Sequence, residues 1–123
     1  MPKKILIIDD EEDMRIYLQT LLRKAGYETE IAVNGRDALS KLPDINPDLI
    51  TLDILMPQKS GLNFFQSIRG QNESKVIPVI VLSGVTSHQE FFDKEKLEGP
   101  TIFVEKPINA DDFLSRVKEM LGE

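Results

Sequence analysis

The chain has 123 residues, with 15 Lys plus Arg against 21 Asp plus Glu and no cysteine. A single domain, 1–123, is the expected organisation at this length, able to bury about two-thirds of its unfolded surface without a disulfide or metal staple, and the lack of Cys excludes disulfide frameworks, Cys-zinc sites, iron–sulfur clusters and thiol catalysis. A formal charge of −6 argues against nucleic acid or an anionic membrane as the direct partner, since both are bound mainly through excess Lys and Arg.

The first predicted element is the apolar run Ile5-Leu6-Ile7-Ile8. It is followed at once by Asp9-Asp10-Glu11-Glu12-Asp13, so it is too short for a signal-peptide core or a spanning helix. The cytoplasm is therefore the expected compartment. Met14, Leu18, Leu21, Leu22 and Ala25 then fall on one helical stripe, which Gly26 stops. Thr29 to Val33 is more polar and reads as an edge strand. Asn34 is a predicted N-cap for a helix with Ala38, Leu39 and Leu42 inward and its end at Pro43.

Leu49-Ile50-Thr51-Leu52 is the third strand, and Ser60 is a predicted cap for a third helix carrying Leu62, Phe65 and Ile68 and closed by Gly70. Val79-Ile80-Val81-Leu82 is the fourth strand. A helix over 87–97 follows, with Phe91 and Phe92 and a less regular stripe. Thr101-Ile102-Phe103-Val104 is the fifth strand, and Asn109 caps a last helix lined by Phe113, Val117 and Leu121. Strands that are apolar at every position are buried on both faces. Five β-α units in succession imply a doubly wound α/β fold, with a parallel sheet and right-handed crossovers.

In such a sheet, ligands bind at the carboxyl ends of the strands. Those ends carry Asp9-Asp10, Asp53, Ser83 and Lys106, which are far apart in sequence but share one edge. Clustered carboxylates repel one another unless a cation intervenes, and Mg²⁺ (or Mn²⁺) is suited to one or two carboxylates plus water and phosphate oxygens. Lys106 supplies a point charge for a phosphoryl group and Ser83 a hydrogen bond to one of its oxygens. The carboxylate is the natural acceptor, since no Cys or suitably placed His is present.

Taken together, Ile5 to Glu11, then Asp53-Ile54-Leu55-Met56-Pro57 with Gly61, then Val81-Leu82-Ser83-Gly84, then Glu105-Lys106-Pro107 resemble the receiver domain of two-component response regulators. The resemblance runs from Lys3 to Leu121. It implies the strand order 2-1-3-4-5, which is that of the chemotaxis receivers and does not follow from the spacing of the strands alone. It implies Asp53 as phosphoacceptor and Asp10 and Asp53 as Mg²⁺ ligands, with Asp9 acting through water and Leu55 offering its backbone carbonyl. On the same resemblance, Ser83 and Lys106 would contact the phosphoryl group, the Lys106-Pro107 bond is expected to be cis, and Phe103 would be the aromatic partner of Ser83 in the switch. The implied partners are a sensor histidine kinase or phosphotransfer protein and a downstream effector or output domain. The chain would act as a monomer or a phosphorylation-dependent dimer, outside the class of conventional enzymes although it catalyses its own aspartyl phosphorylation and dephosphorylation. Lys59-Ser60 before Gly61, Gly84, and Gly99-Pro100 depart from the usual family residues.

Plainer readings exist for several of these positions. Asp53 alone would pass as a strand-end turn residue, and Phe103 as core. Glu11, Glu12 and Asp13 read as solvated helix-start acids favoured by the helix dipole. His88 without cysteines makes no zinc site. An Asp-dependent phosphohydrolase is the competing enzyme reading, but Asp53-Ile54-Leu55 lacks the second Asp of an Asp-x-Asp nucleophile motif and no cap segment is present. A flavodoxin-like cofactor binder would need a Gly/Ser/Thr-rich first loop, where this chain has Asp9-Asp10-Glu11-Glu12.

Overall fold

Three of the five strands are apolar throughout or nearly so, and these form the middle of the sheet. In the computed structural model, which describes residues 2–53, 60–71, 74, 76–83 and 100–123, the strands are β1 (Lys4–Ile8), β2 (Glu28–Ala32), β3 (Leu49–Asp53), β4 (Val79–Ser83) and β5 (Thr101–Glu105). All neighbours pair in parallel in the order β2-β1-β3-β4-β5. The described helices are α1 (Glu12–Lys24), α2 (Gly35–Ile45), α3 (Ser60–Arg69) and α4 (Ala110–Leu121). The helix predicted over 87–97 lies outside the described residues. Among the described residues, no helix is long and apolar enough to cross a membrane.

Alternation along the strands sends side chains to two cores. Leu6, Ile8, Ile50, Leu52, Val79 and Val81 pack with Ala38 of α2 and Phe64, Phe65 and Ile68 of α3. Ile5, Ile7, Leu49, Ile80 and Leu82 pack on the other face with Leu18 and Leu22 of α1 and Phe113 and Val117 of α4. Each such side chain taken fully from water contributes roughly 1.5–3 kcal/mol. The edge strand β2 is paired on one side only and is less buried: Glu28 and Glu30 are exposed, while Ala32 and Ile31 reach the two cores.

The helix ends show how local chemistry sets element boundaries. Asn34 and Asn109 accept hydrogen bonds from the backbone N–H groups of Asp37 (2.8 Å) and Asp112 (2.9 Å), as N-caps do. Gly26 takes φ +97 after α1, a conformation open to glycine at little steric cost. Pro43 does not end α2, contrary to the sequence expectation. The helix runs on to Ile45 and closes at Asn46, in a left-handed conformation with its N–H donating to the Leu42 carbonyl at 2.9 Å. A proline this close to the end removes one N–H donor, while Leu42 and Ile45 keep packing against the core.

Two buried polar side chains belong to the framework. The Arg69 guanidinium, at the end of α3, donates to the carbonyls of Ile77 (2.8 Å) and Pro100 (3.1 Å) and to Thr101 Oγ1 (2.9 Å). It also lies 5.1 Å from the centroid of the Phe65 ring. Thr51 stands in register between Ile7 and Ile80, and its buried Oγ1 has no hydrogen-bond partner among the described residues. An unsatisfied buried hydroxyl costs about 1–3 kcal/mol. Thr51→Val is accordingly expected to raise stability by about 1 kcal/mol. Urea denaturation checks this, and a variant less stable than the parent would contradict it.

Candidate functional site

Parallel pairing puts the carboxyl ends of β1, β3, β4 and β5 along one edge, and the residues leaving those ends form the site. Asp53 closes β3 and is 1% exposed. Lys106 follows β5, and its Nζ donates to Asp53 Oδ2 at 3.0 Å. The Lys106 backbone N–H also donates to the Ser83 carbonyl at 2.9 Å, which ties the last residue of β4 to the same corner. The Lys106-Pro107 peptide is cis.

The β1–α1 turn brings in the other carboxylates. Asp9 is fully buried. Its Oδ1 accepts the Glu11 N–H at 2.9 Å, and its carbonyl accepts a hydrogen bond from Arg15 Nη1 at 2.9 Å. These two bonds fold the turn so that carboxylate oxygens of Asp9, Asp10, Glu11 and Asp53 all lie within 4.8 Å of one another. Asp10 and Glu11 are exposed, so the cluster opens to solvent on their side.

The electrostatic cost falls on Asp9. Burial, with the nearby charge of Asp53 adding to it, raises its pKa to about 6, against the lowering effect of the Glu11 N–H and of Lys106. Among the described residues, Asp9 Oδ2 is buried with no hydrogen-bond partner, and so is Ser83 Oγ. Orphan polar atoms of this kind are rare in native proteins and call for a ligand, ion or water. The acidic donors are all oxygens, which suits a hard divalent cation. The chemistry of the cluster therefore fits Mg²⁺ or Mn²⁺.

Of the residues singled out in the sequence, Asp9, Asp10 and Asp53 come together as carboxylates, and Lys106 pairs with Asp53. Alternation along β4 places Ser83 on the sheet face of Val79 and Val81, the face on which Phe103 packs, half-buried. Leu55 lies outside the described residues, as do Met56, Pro57 and Gly84. Glu11 is the member of the cluster that the sequence pattern does not single out. It does stand at the start of α1, as a helix-start acid should, yet its side chain makes no cap hydrogen bond. A Glu where Ser, Thr, Asp or Asn would cap was the available signal.

Comparison with known proteins identifies the family. The response regulator receiver domain profile matches residues 5–118. PilG of Pseudomonas aeruginosa is 35% identical over 117 residues, covering 94% of this chain and 84% of PilG. The polar-differentiation response regulator DivK of Brucella anthropi is 34% identical and covers 100% of this chain and 99% of DivK. Among solved structures, the chemotaxis response regulator CheY4 of Vibrio cholerae superposes with a TM-score of 0.86 at 29% identity, over 98% of this chain and 99% of that one. A putative response regulator from Chloroflexus aurantiacus gives 0.87 at 26% identity over the whole of both chains. On its sequence, its fold and the strand-end residues it assembles, the chain belongs to the receiver domain family of two-component response regulators.

Proposed function

We propose that Asp53 is the phosphoacceptor of a signalling switch, taking a phosphoryl group from a phosphohistidine of a partner kinase or phosphotransfer protein, or from a small phosphodonor. Receiver domains are signalling domains rather than conventional enzymes, they interact with histidine kinases and output effectors, and the family generally binds Mg²⁺. The observation that carries the residue assignment is the Asp53–Lys106 pair at 3.0 Å beside two buried oxygens, Asp9 Oδ2 and Ser83 Oγ, that have no partner among the described residues.

In the transfer, an Asp53 carboxylate oxygen attacks phosphorus as the P–N bond to the donor imidazole breaks; the electron pair of that bond stays on the ring nitrogen, and the imidazole leaves neutral because its other nitrogen already carries a proton. Lys106 holds the attacked carboxylate in place and offsets the negative charge that builds on the phosphoryl oxygens. The Ser83 hydroxyl donates to one of those oxygens once they arrive. Asp10 and Asp53, with Asp9 through water and the Leu55 carbonyl, would hold Mg²⁺, which when bound neutralises phosphoryl charge and orients the donor. Water attacking the same phosphorus releases phosphate and restores the carboxylate.

Drawing Ser83 towards the phosphoryl group vacates space on the face it shares with Phe103. That movement biases the face formed by β4, β5, α4 and the segment 87–97 read from sequence as a helix, through which a partner or output domain is controlled. The expected outcome with Mg²⁺ and a small phosphodonor is a single added phosphoryl group by intact mass, absent from Asp53→Asn. Equal labelling of the two proteins would rule out Asp53 as acceptor.

A further inference from the structure

Glu11 occupies the N-cap position of α1 with extended backbone (φ −96, ψ 121), yet its side chain makes no cap hydrogen bond. The same chain caps α2 and α4 with asparagines that do. A working cap stabilises a helix, and Glu is not among the residues that cap well. The carboxylate is turned instead towards the site: an oxygen of Glu11 lies within 4.8 Å of carboxylate oxygens of Asp9, Asp10 and Asp53. Its backbone leaves little freedom in this placement, since the Glu11 N–H donates to Asp9 Oδ1 and the Glu11 carbonyl accepts the Arg15 N–H. In the same cluster the fully buried Asp9 presents Oδ2 with no partner among the described residues, which is independent evidence that something positively charged or proton-donating completes the group.

We propose that Glu11 is an outer carboxylate of the cation site, accepting a hydrogen bond from a water on the divalent ion held by Asp9, Asp10 and Asp53, at the expense of a capped helix. This rests on the cation site described above and extends it by one residue. Being exposed, Glu11 is suited to a water-mediated role, since it sits on the open side of the cluster where cation-bound waters face solvent. Its charge adds to the pull on a divalent ion, and outer partners of metal sites commonly alter affinity by about 10-fold or more.

Mn²⁺ titration followed by calorimetry tests this on the whole chain, with thermal unfolding in chelator as the second measurement. Glu11→Gln keeps the length and removes the charge, and is expected to bind Mn²⁺ about tenfold more weakly. Glu11→Asn offers the cap used at the other two helices. It is expected to weaken Mn²⁺ by a similar factor while raising the Tm of the cation-free protein by about 3 °C. A merely structural loop residue would lower that Tm. Mn²⁺ affinity within about threefold of the parent in Glu11→Gln overturns the proposal, and so does a cation-free Glu11→Asn protein that melts below the parent. Failure of the parent chain itself to bind Mn²⁺ overturns the cation site as a whole, which separates that failure from one confined to Glu11.

Discussion

Asp9→Asn is expected to make the cation-free protein more stable at pH 7.5 by roughly 2–3 kcal/mol. Asp9 ionises at about 6 in the folded chain against an ordinary value of 3.8, and each pH unit of such a difference corresponds to about 1.4 kcal/mol. The sign follows from proton linkage. Between pH 3.8 and about 6 the native state holds a proton that the unfolded state has lost, so this group's contribution falls as pH rises. The cost is absent below 3.8 and complete above about 6. Asparagine removes it, keeps an oxygen for the Glu11 N–H, and places an amide donor at the position of Oδ2, which has no partner among the described residues. Urea denaturation in chelator at about pH 5 and 7.5 checks both parts: the variant should be the more stable at the higher pH and should lose the parent's decline over that interval. Added Mg²⁺ should stabilise the parent and do little for the variant. A variant no more stable than the parent at the higher pH would contradict the electrostatic account.

Removing the opposite charge should act the other way. Lys106→Met keeps the alkyl stem but takes the ammonium from the Asp53 carboxylate, which is 1% exposed and 3.0 Å away. Breaking a buried pair by deleting one partner costs about 3–5 kcal/mol. Here Lys106 is 21% exposed and Asp9 can take up a proton, so a loss of about 2–3 kcal/mol is expected in chelator. Saturating Mg²⁺ should return more than half of it by supplying the missing positive charge. A double-mutant cycle with Asp53→Asn isolates the pair from packing effects and should give a coupling of at least about 1 kcal/mol. Equal stability of Lys106→Met and the parent in chelator, or a coupling near zero, would show that the contact carries no net energy.

The fold could be read from sequence because the decisive signal was simple. Runs that are apolar throughout or broken only by Thr51, at Ile5–Ile8, Leu49–Leu52 and Val79–Leu82, admit burial only on both faces, and these became β1, β3 and β4. Asp53 and Ser83, each the last residue of its strand, and Lys106, the residue after β5, could be placed along one sheet edge for the same reason, since a strand's end is located once the run is. What escaped depends on side-chain direction inside a turn. Glu11 enters the cluster through the Asp9 Oδ1 bond to its N–H, and a row of five acids contains nothing that separates the third from the fourth. Arg69 escaped differently. A basic residue in the last turn of a helix ordinarily faces solvent and the dipole's negative end, and its burial under the connections to β4 and β5 follows only from tertiary packing. At Pro43 the usual rule for ending a helix lost to the burial of the turn beyond it.

The Arg69 bonds have a mechanical consequence. Asp53 leads through the chain to α3, whose last residue is fastened to Pro100 and Thr101. From there β5 runs back to Lys106, which closes on Asp53. Helix and strand thus form a link closed at one end by the Arg69 hydrogen bonds and at the other by the Lys106–Asp53 ion pair. Because β5 is fastened at Thr101 by Arg69 and along its length by the β4 ladder, loosening of the Lys106–Asp53 pair would be felt first at the carboxyl end of the strand.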